Sequence, residues 1–120
     1  MEYKFINPDY LDNVTGGDVQ IISEIVEMFR VQAAEISEEM KNLHENKEYL
    51  KLGLLAHKAK SSVAIMGMND LAVMLKTFEL SAREGKDIEL YNDYIGRFVS
   101  DTRAAIIELD DLIRHRLNTN

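Results

Sequence analysis

Apolar residues recur along this chain at steps of three and four, the repeat of one face of an α-helix. The first such stripe runs Val19, Ile22, Ile25, Val26, Phe29, Ala33, Ile36, Met40 and Leu43, and predicts a helix over about Val19 to Glu45. A second helix is predicted from about Glu48 to Met66. A third, from about Asp70 to Glu84, carries Leu71, Leu75, Phe78 and Ala82. A fourth, from about Ile88 to Leu117, carries Tyr91, Ile95, Phe98, Thr102, Ala105, Leu109 and Leu112. No stretch shows the alternation of a half-buried strand.

The breaks between these segments are short. Thr15-Gly16-Gly17-Asp18, Met66-Gly67-Met68-Asn69 and Glu84-Gly85-Lys86-Asp87 are the strong ones, and Glu45-Asn46 is weaker. Asp18, Asn69 and Asp87 suit helix N-caps, and Gly85 suits a C-terminal stop. Pro8 suits the first position of a short helix over about Pro8 to Asp12. Long helices joined by short turns pack antiparallel. The expected fold is therefore all-α: an antiparallel four-helix bundle with a short extra N-terminal helix, forming a single domain over residues 1–120. One apolar stripe per helix fills such a core, so a monomer is expected.

Composition narrows the function. The chain has no cysteine, which removes disulfides and thiolate metal sites. The start, Met1-Glu2-Tyr3-Lys4-Phe5, lacks the basic and apolar regions of a secretion signal, and no apolar run approaches the ~20 residues of a membrane span. A soluble cytoplasmic protein is expected; its short length and initiating methionine suggest that it acts alone, with excision from a longer protein as the alternative. The net charge of −7 disfavours nucleic acid as a partner. Charge is uneven, however: between Asn46 and Gly67, Lys47, Lys51, Lys58 and Lys60 face Glu48 alone.

Candidate chemistry narrows by elimination to one histidine. There is no glycine-rich phosphate loop, so no ATP site is evident. A di-iron bundle needs Glu-x-x-His on two helices, yet Lys41, Leu54 and Leu112 precede His44, His57 and His115 by three. His44 and His115 read as surface residues near helix ends. Met28, Met40, Met66, Met68 and Met74 read as core or contact filler rather than a cofactor box. No serine sits in a nucleophile turn. His57 differs: Lys60 lies at i+3 and Ser61 at i+4 on its helix face, with small Gly53 and Ala64 at i−4 and i+7. A nucleophile, a cation and little bulk suit a phosphoryl group carried on the ring and handed to another protein, and the small residues are expected to leave the imidazole accessible.

The run Ala56-His57-Lys58-Ala59-Lys60-Ser61-Ser62, then Gly67, Leu71 and Phe78-Glu79, resembles the histidine-containing phosphotransfer (HPt) domain family. That family reads roughly Ala-His-x-Leu-Lys-Gly-Ser/Ala, with a glycine ten residues past the histidine and a later Leu-Glu. Gly16-Gly17-Asp18 and Phe29 resemble the start of the family's first long helix. Ala59 replaces the usual leucine, and Ser61 the usual glycine, where its hydroxyl could donate to a phosphoryl oxygen.

The resemblance implies a phosphorelay intermediate without kinase activity of its own. His57 would accept a phosphoryl group from the aspartyl phosphate of a response-regulator receiver domain and pass it to another receiver's aspartate, and Lys60 would stabilise its charge. Gly53, Lys58, Ser61, Ala64 and Met68 would contact the partner. The partners implied are receiver domains and a hybrid sensor histidine kinase. The receiver would bring the magnesium ion, and this chain would need no cofactor or metal. The alternative is a degenerate HPt-like bundle that binds receiver or kinase domains without carrying phosphate.

Overall fold

Helices account for the regular structure of residues 3–118, which the computed structural model describes; the two ends of the chain, including the start of the Met1–Phe5 segment, lie outside the described residues. The elements are α1 (Pro8–Thr15), α2 (Val19–Glu45), α3 (Tyr49–Ile65), α4 (Asn69–Glu84), a 3-10 turn (Ile88–Leu90) and α5 (Tyr91–Asn118). Among the described residues there is no strand, and no helix long and apolar enough to cross a membrane.

The helix starts follow side-chain chemistry where it is available. Asp18 caps α2 by accepting from the Gln20 and Ile21 N–H groups at 2.9 and 3.3 Å, and Asn7 caps α1 with Pro8 in its first turn. α1 runs to Thr15, further than the expected Asp12, and ends on left-handed Gly16. One expected cap is displaced and another holds its position without the capping bond. Asn69 is already inside α4, whose cap position is Met68, and Asp87 makes no side-chain capping bond. Asp87 instead adopts φ 54° and opens the 3-10 turn that leads into α5.

The turn between α3 and α4 explains the displaced cap. Gly67 takes φ +76°, and the Met68 N–H bonds back to the Val63 carbonyl at 3.1 Å. That closure folds the next side chain onto the helix it has just left, so Met68 is buried with 4% exposure. A Cβ on Gly67 would lie 2.7 Å from the Asn7 Cβ. Glycine here permits both the backbone angle and the seating of the turn against the start of α1.

The bundle is antiparallel. Arg30 of α2 pairs with Asp110 of α5 at 2.7 Å, while Lys41 lies by Val99 and Arg103, so the two helices run oppositely. Ser62 of α3 donates to Gln32 of α2 at 3.1 Å. Each stripe turns inward: Ile22, Phe29, Leu52, Val63, Leu75, Phe78, Tyr91 and Phe98 are all buried. Four of the methionines expected as filler are buried, whereas Met28 is 61% exposed.

α2 and α5 are much longer than α3 and α4, and the N-terminal segment and α1 cover the extra length. The backbone N–H groups of Lys4, Phe5 and Ile6 all donate to the Glu108 carboxylate, and the Tyr3 hydroxyl donates to Asp111 at 2.9 Å. Arg116 grips Asp12 with both terminal nitrogens. Hydrogen bonding from Arg116 holds the Asp12 carboxyl below the usual range against the opposing effect of burial. The Tyr3 hydroxyl acts likewise on Asp111, helped by His115 and Arg114.

A carboxyl with a lowered folded pKa adds stability above its unfolded pKa and loses it as pH falls through the folded value. The melting temperature should therefore hold down to about pH 4 and fall below it. In Asp12→Asn the acid fall should be shallower when melting is followed by circular dichroism. An identical acid limb would show that the Asp12–Arg116 pair does not contribute to it.

Candidate functional site

α3 brings its chemistry to one outward stripe. Leu50, Leu54, His57, Ser61 and Ala64 recur at three- and four-residue steps, so they share a face. His57 stands mid-helix with its side chain 54% exposed. Ser61 and Lys58 are exposed and Ala64 is half-buried. Leu50 and Leu54 are 62% and 52% exposed, an apolar contribution to this face that the amphipathic reading of the sequence passed over.

The floor of the site comes from α4. Glu79 lies on the buried face of that helix, with its side chain only 3% exposed. Both carboxylate oxygens lie 3.1 Å from His57 Nδ1. Lys60 Nζ is 3.8 Å from Oε1, and Arg83 Nη2 is 3.2 Å from Oε2. Burial pushes the Glu79 carboxyl up. The hydrogen bond and charge of His57, with Lys76 and Arg83, outweigh burial and hold it below the usual range. Glu79 is therefore an anion at neutral pH, and an anionic carboxylate can only accept.

That fixes the imidazole. In the neutral ring Nδ1 carries the proton and donates to Glu79, which leaves the lone pair on Nε2. Lys60 and Arg83 surround the same carboxylate, so the immediate setting of the ring carries more positive than negative charge. Among the described residues, no three His, Cys, Asp or Glu side chains come together as a metal-holding group. The arrangement suits a nucleophilic nitrogen accepting an anionic group from outside.

Two expected contact residues are displaced. Met68 is in the core because the α3–α4 closure turns its side chain inward, so it presents no surface to a partner. Gly53 is also buried. A Cβ there would meet the Glu79 carbonyl oxygen at 3.0 Å, Arg83 Cγ at 3.1 Å and Arg83 N at 3.2 Å. Its smallness leaves room for the close contact of α3 with α4.

In the sequence Glu79 stands out only as part of the Phe78-Glu79 motif, and Arg83 does not stand out at all. One signal was present. Glu79 follows Phe78 and stands four residues after Leu75 and three before Ala82, so it falls on the apolar face of α4. A carboxylate at a core position must be paired, because an unpaired buried charge is strongly destabilising. Nothing in the spacing named the histidine as its partner.

The family model of the Hpt domain matches residues 24–115, a span that includes His57, Lys60, Glu79 and Arg83. Comparison with curated proteins and with solved structures returned no match.

Proposed function

Because the chain belongs to the Hpt domain family, we propose that His57 is the phosphoryl carrier of a two-component phosphorelay, loaded from the aspartyl phosphate of one receiver domain and discharged to the aspartate of another. The observation that carries this reading is the exposed ring of His57, whose Nδ1 is held by buried Glu79 at 3.1 Å.

Nε2 attacks the phosphorus of the aspartyl phosphate. The N–P bond forms as the P–O bond to the aspartate breaks, and the aspartate leaves as a carboxylate. The attacking ring gains positive charge while Nδ1 keeps its proton, and the Glu79 carboxylate lies where that charge develops. In-line phosphoryl transfer depends mainly on positioning and on neutralising the phosphoryl oxygens. Lys60 is the cation on the chain assigned to that task, and the magnesium ion belongs to the receiver, so the chain needs no cofactor of its own. Transfer in the other direction runs through the same contacts reversed.

A receiver carries an acidic pocket around its aspartate. α3 offers it Lys51, Lys58 and Lys60 with no acidic residue in the helix, although the chain as a whole is acidic. Exposed Leu50 and Leu54 add apolar area beside His57. Ser61 and Ala64 share the face of His57 and add little bulk, and the Ser61 hydroxyl would donate to a phosphoryl oxygen. The chain acts on this reading as a cytoplasmic monomer between a hybrid kinase and its response regulator.

The test incubates the chain with phosphorylated receiver domains and follows an acid-labile label. Wild type should take the label and His57→Gln should take none. A label that persists in His57→Gln overturns the assignment. Receiver binding with no label on wild type would reduce the protein to a binding module.

A further inference from the structure

Glycine is among the poorest helix formers, yet Gly53 lies inside α3, one turn before His57. Its backbone angle does not require glycine, since it is absent from the positive-φ residues. Space does. The three atoms nearest a Cβ at position 53 belong to Glu79 and Arg83, at 3.0 to 3.2 Å, and two of them are backbone atoms of α4 that cannot swing aside as a side-chain tip would. These are also the residue that holds His57 Nδ1 and the residue that pairs with it.

We infer that Gly53 is a positioning residue for His57: by omitting a Cβ it lets α4 approach α3 closely enough for the Glu79 carboxylate to reach Nδ1. The inference rests on the proposed phosphoryl transfer only for its effect on rate. The margin is small. The 3.1 Å contacts are already longer than the 2.7–2.9 Å usual for charge-assisted hydrogen bonds. A Cβ at position 53 requires its neighbours to yield by a few tenths of an ångström. Moving Glu79 outward by that amount takes the bond to about 3.4–3.5 Å, near the limit at which it ceases to act. The proton would then no longer be confined to Nδ1, and fewer molecules would present a free Nε2 lone pair.

The test is Gly53→Ala. Alanine is a better helix former, which works against the strain, so the circular dichroism spectrum should be that of wild type. Imidazole nitrogen NMR on the free protein should show His57 protonated at Nδ1 in wild type and a mixture of the two neutral tautomers in Gly53→Ala. Phosphoryl uptake should fall about threefold to tenfold. In a Glu79→Ala background, adding Gly53→Ala should change the uptake no further, because there is no carboxylate left to displace.

Wild-type tautomer and rate in Gly53→Ala would overturn the inference. So would an equal fall in rate in the Glu79→Ala background, which would make position 53 a partner contact. Loss of helicity would also overturn it, since Gly53 would then serve the bundle rather than the site. The tautomer measurement needs no phosphoryl donor. A wild type that takes no label therefore refutes the phosphotransfer reading while the NMR result still decides the role of Gly53.

Discussion

Glu79→Gln should slow phosphoryl uptake by His57 about 10- to 100-fold and leave the bundle folded. The carboxylate makes a charge-assisted hydrogen bond to Nδ1, and such bonds contribute about 1.5–3 kcal/mol. At 1.36 kcal/mol per factor of ten, losing that interaction from the transition state gives the stated range. The amide of glutamine keeps the shape and removes the charge. It can accept from Nδ1–H or donate to bare Nδ1, so it no longer selects the tautomer that frees Nε2. Stability should change little, because the cations that Glu79 leaves behind, Lys60 and Arg83, have side chains 27% and 43% exposed and can turn to water. Single-turnover transfer from a phosphorylated receiver measures the rate, and circular dichroism checks the fold. A variant as fast as wild type would remove Glu79 from the mechanism.

Phe78→Ala should lower stability by about 3–5 kcal/mol, the range for a fully buried aromatic truncated in a core. Phe78 is completely buried, with ring centroids 5.4 Å from Tyr91 and 5.1 Å from Tyr94. The Tyr91 hydroxyl in turn lies 2.8 Å from the Ser81 carbonyl and 2.6 Å from the Lys86 carbonyl and shares its one proton between them, closing the end of α4. Small domains hold about 5–15 kcal/mol in total, so the loss is a large share, and the melting temperature should drop by roughly 10–25 °C. Urea unfolding measures the change directly. Phe78→Leu should recover more than half of it, because most of the volume returns. Phe78 touches no reacting atom, so the folded fraction of Phe78→Ala should transfer at close to the wild-type rate. The neighbouring pair Phe78 and Glu79 thus separates the two requirements: one should cost stability and spare the rate, the other the reverse.

The helices were legible because their information is local. α2 spans Val19–Glu45 as its apolar stripe predicts, and the other helices begin and end within a few residues of expectation. Asn69, which lies inside α4, and Asp87, which holds the cap position without a side-chain capping bond, depart from the local pattern because of the turns that contain them. At Asn69, Gly67 and the Met68 closure bring the helix in early; at Asp87, a left-handed residue leads into a 3-10 turn. Met68 shows the same limit in a side chain. Its place in the sequence, just past a glycine near His57, is compatible with a surface contact, and only the backbone closure turns it into the core.

The sequence by itself determined which segments are helical, which face of each is apolar, and that His57 shares an outward face with Ser61 and Ala64. Those properties depend on residues three or four apart on one helix. The partner of His57 lies 22 residues away on another helix. Whether Glu79 meets Nδ1 depends on how closely α3 and α4 approach and how each is turned about its axis, which the packing of the whole core decides. The same approach moved Gly53 from the partner surface to the seam between the two helices. The sequence therefore named the candidate nucleophile, and the tertiary structure decided which of its two nitrogens is free.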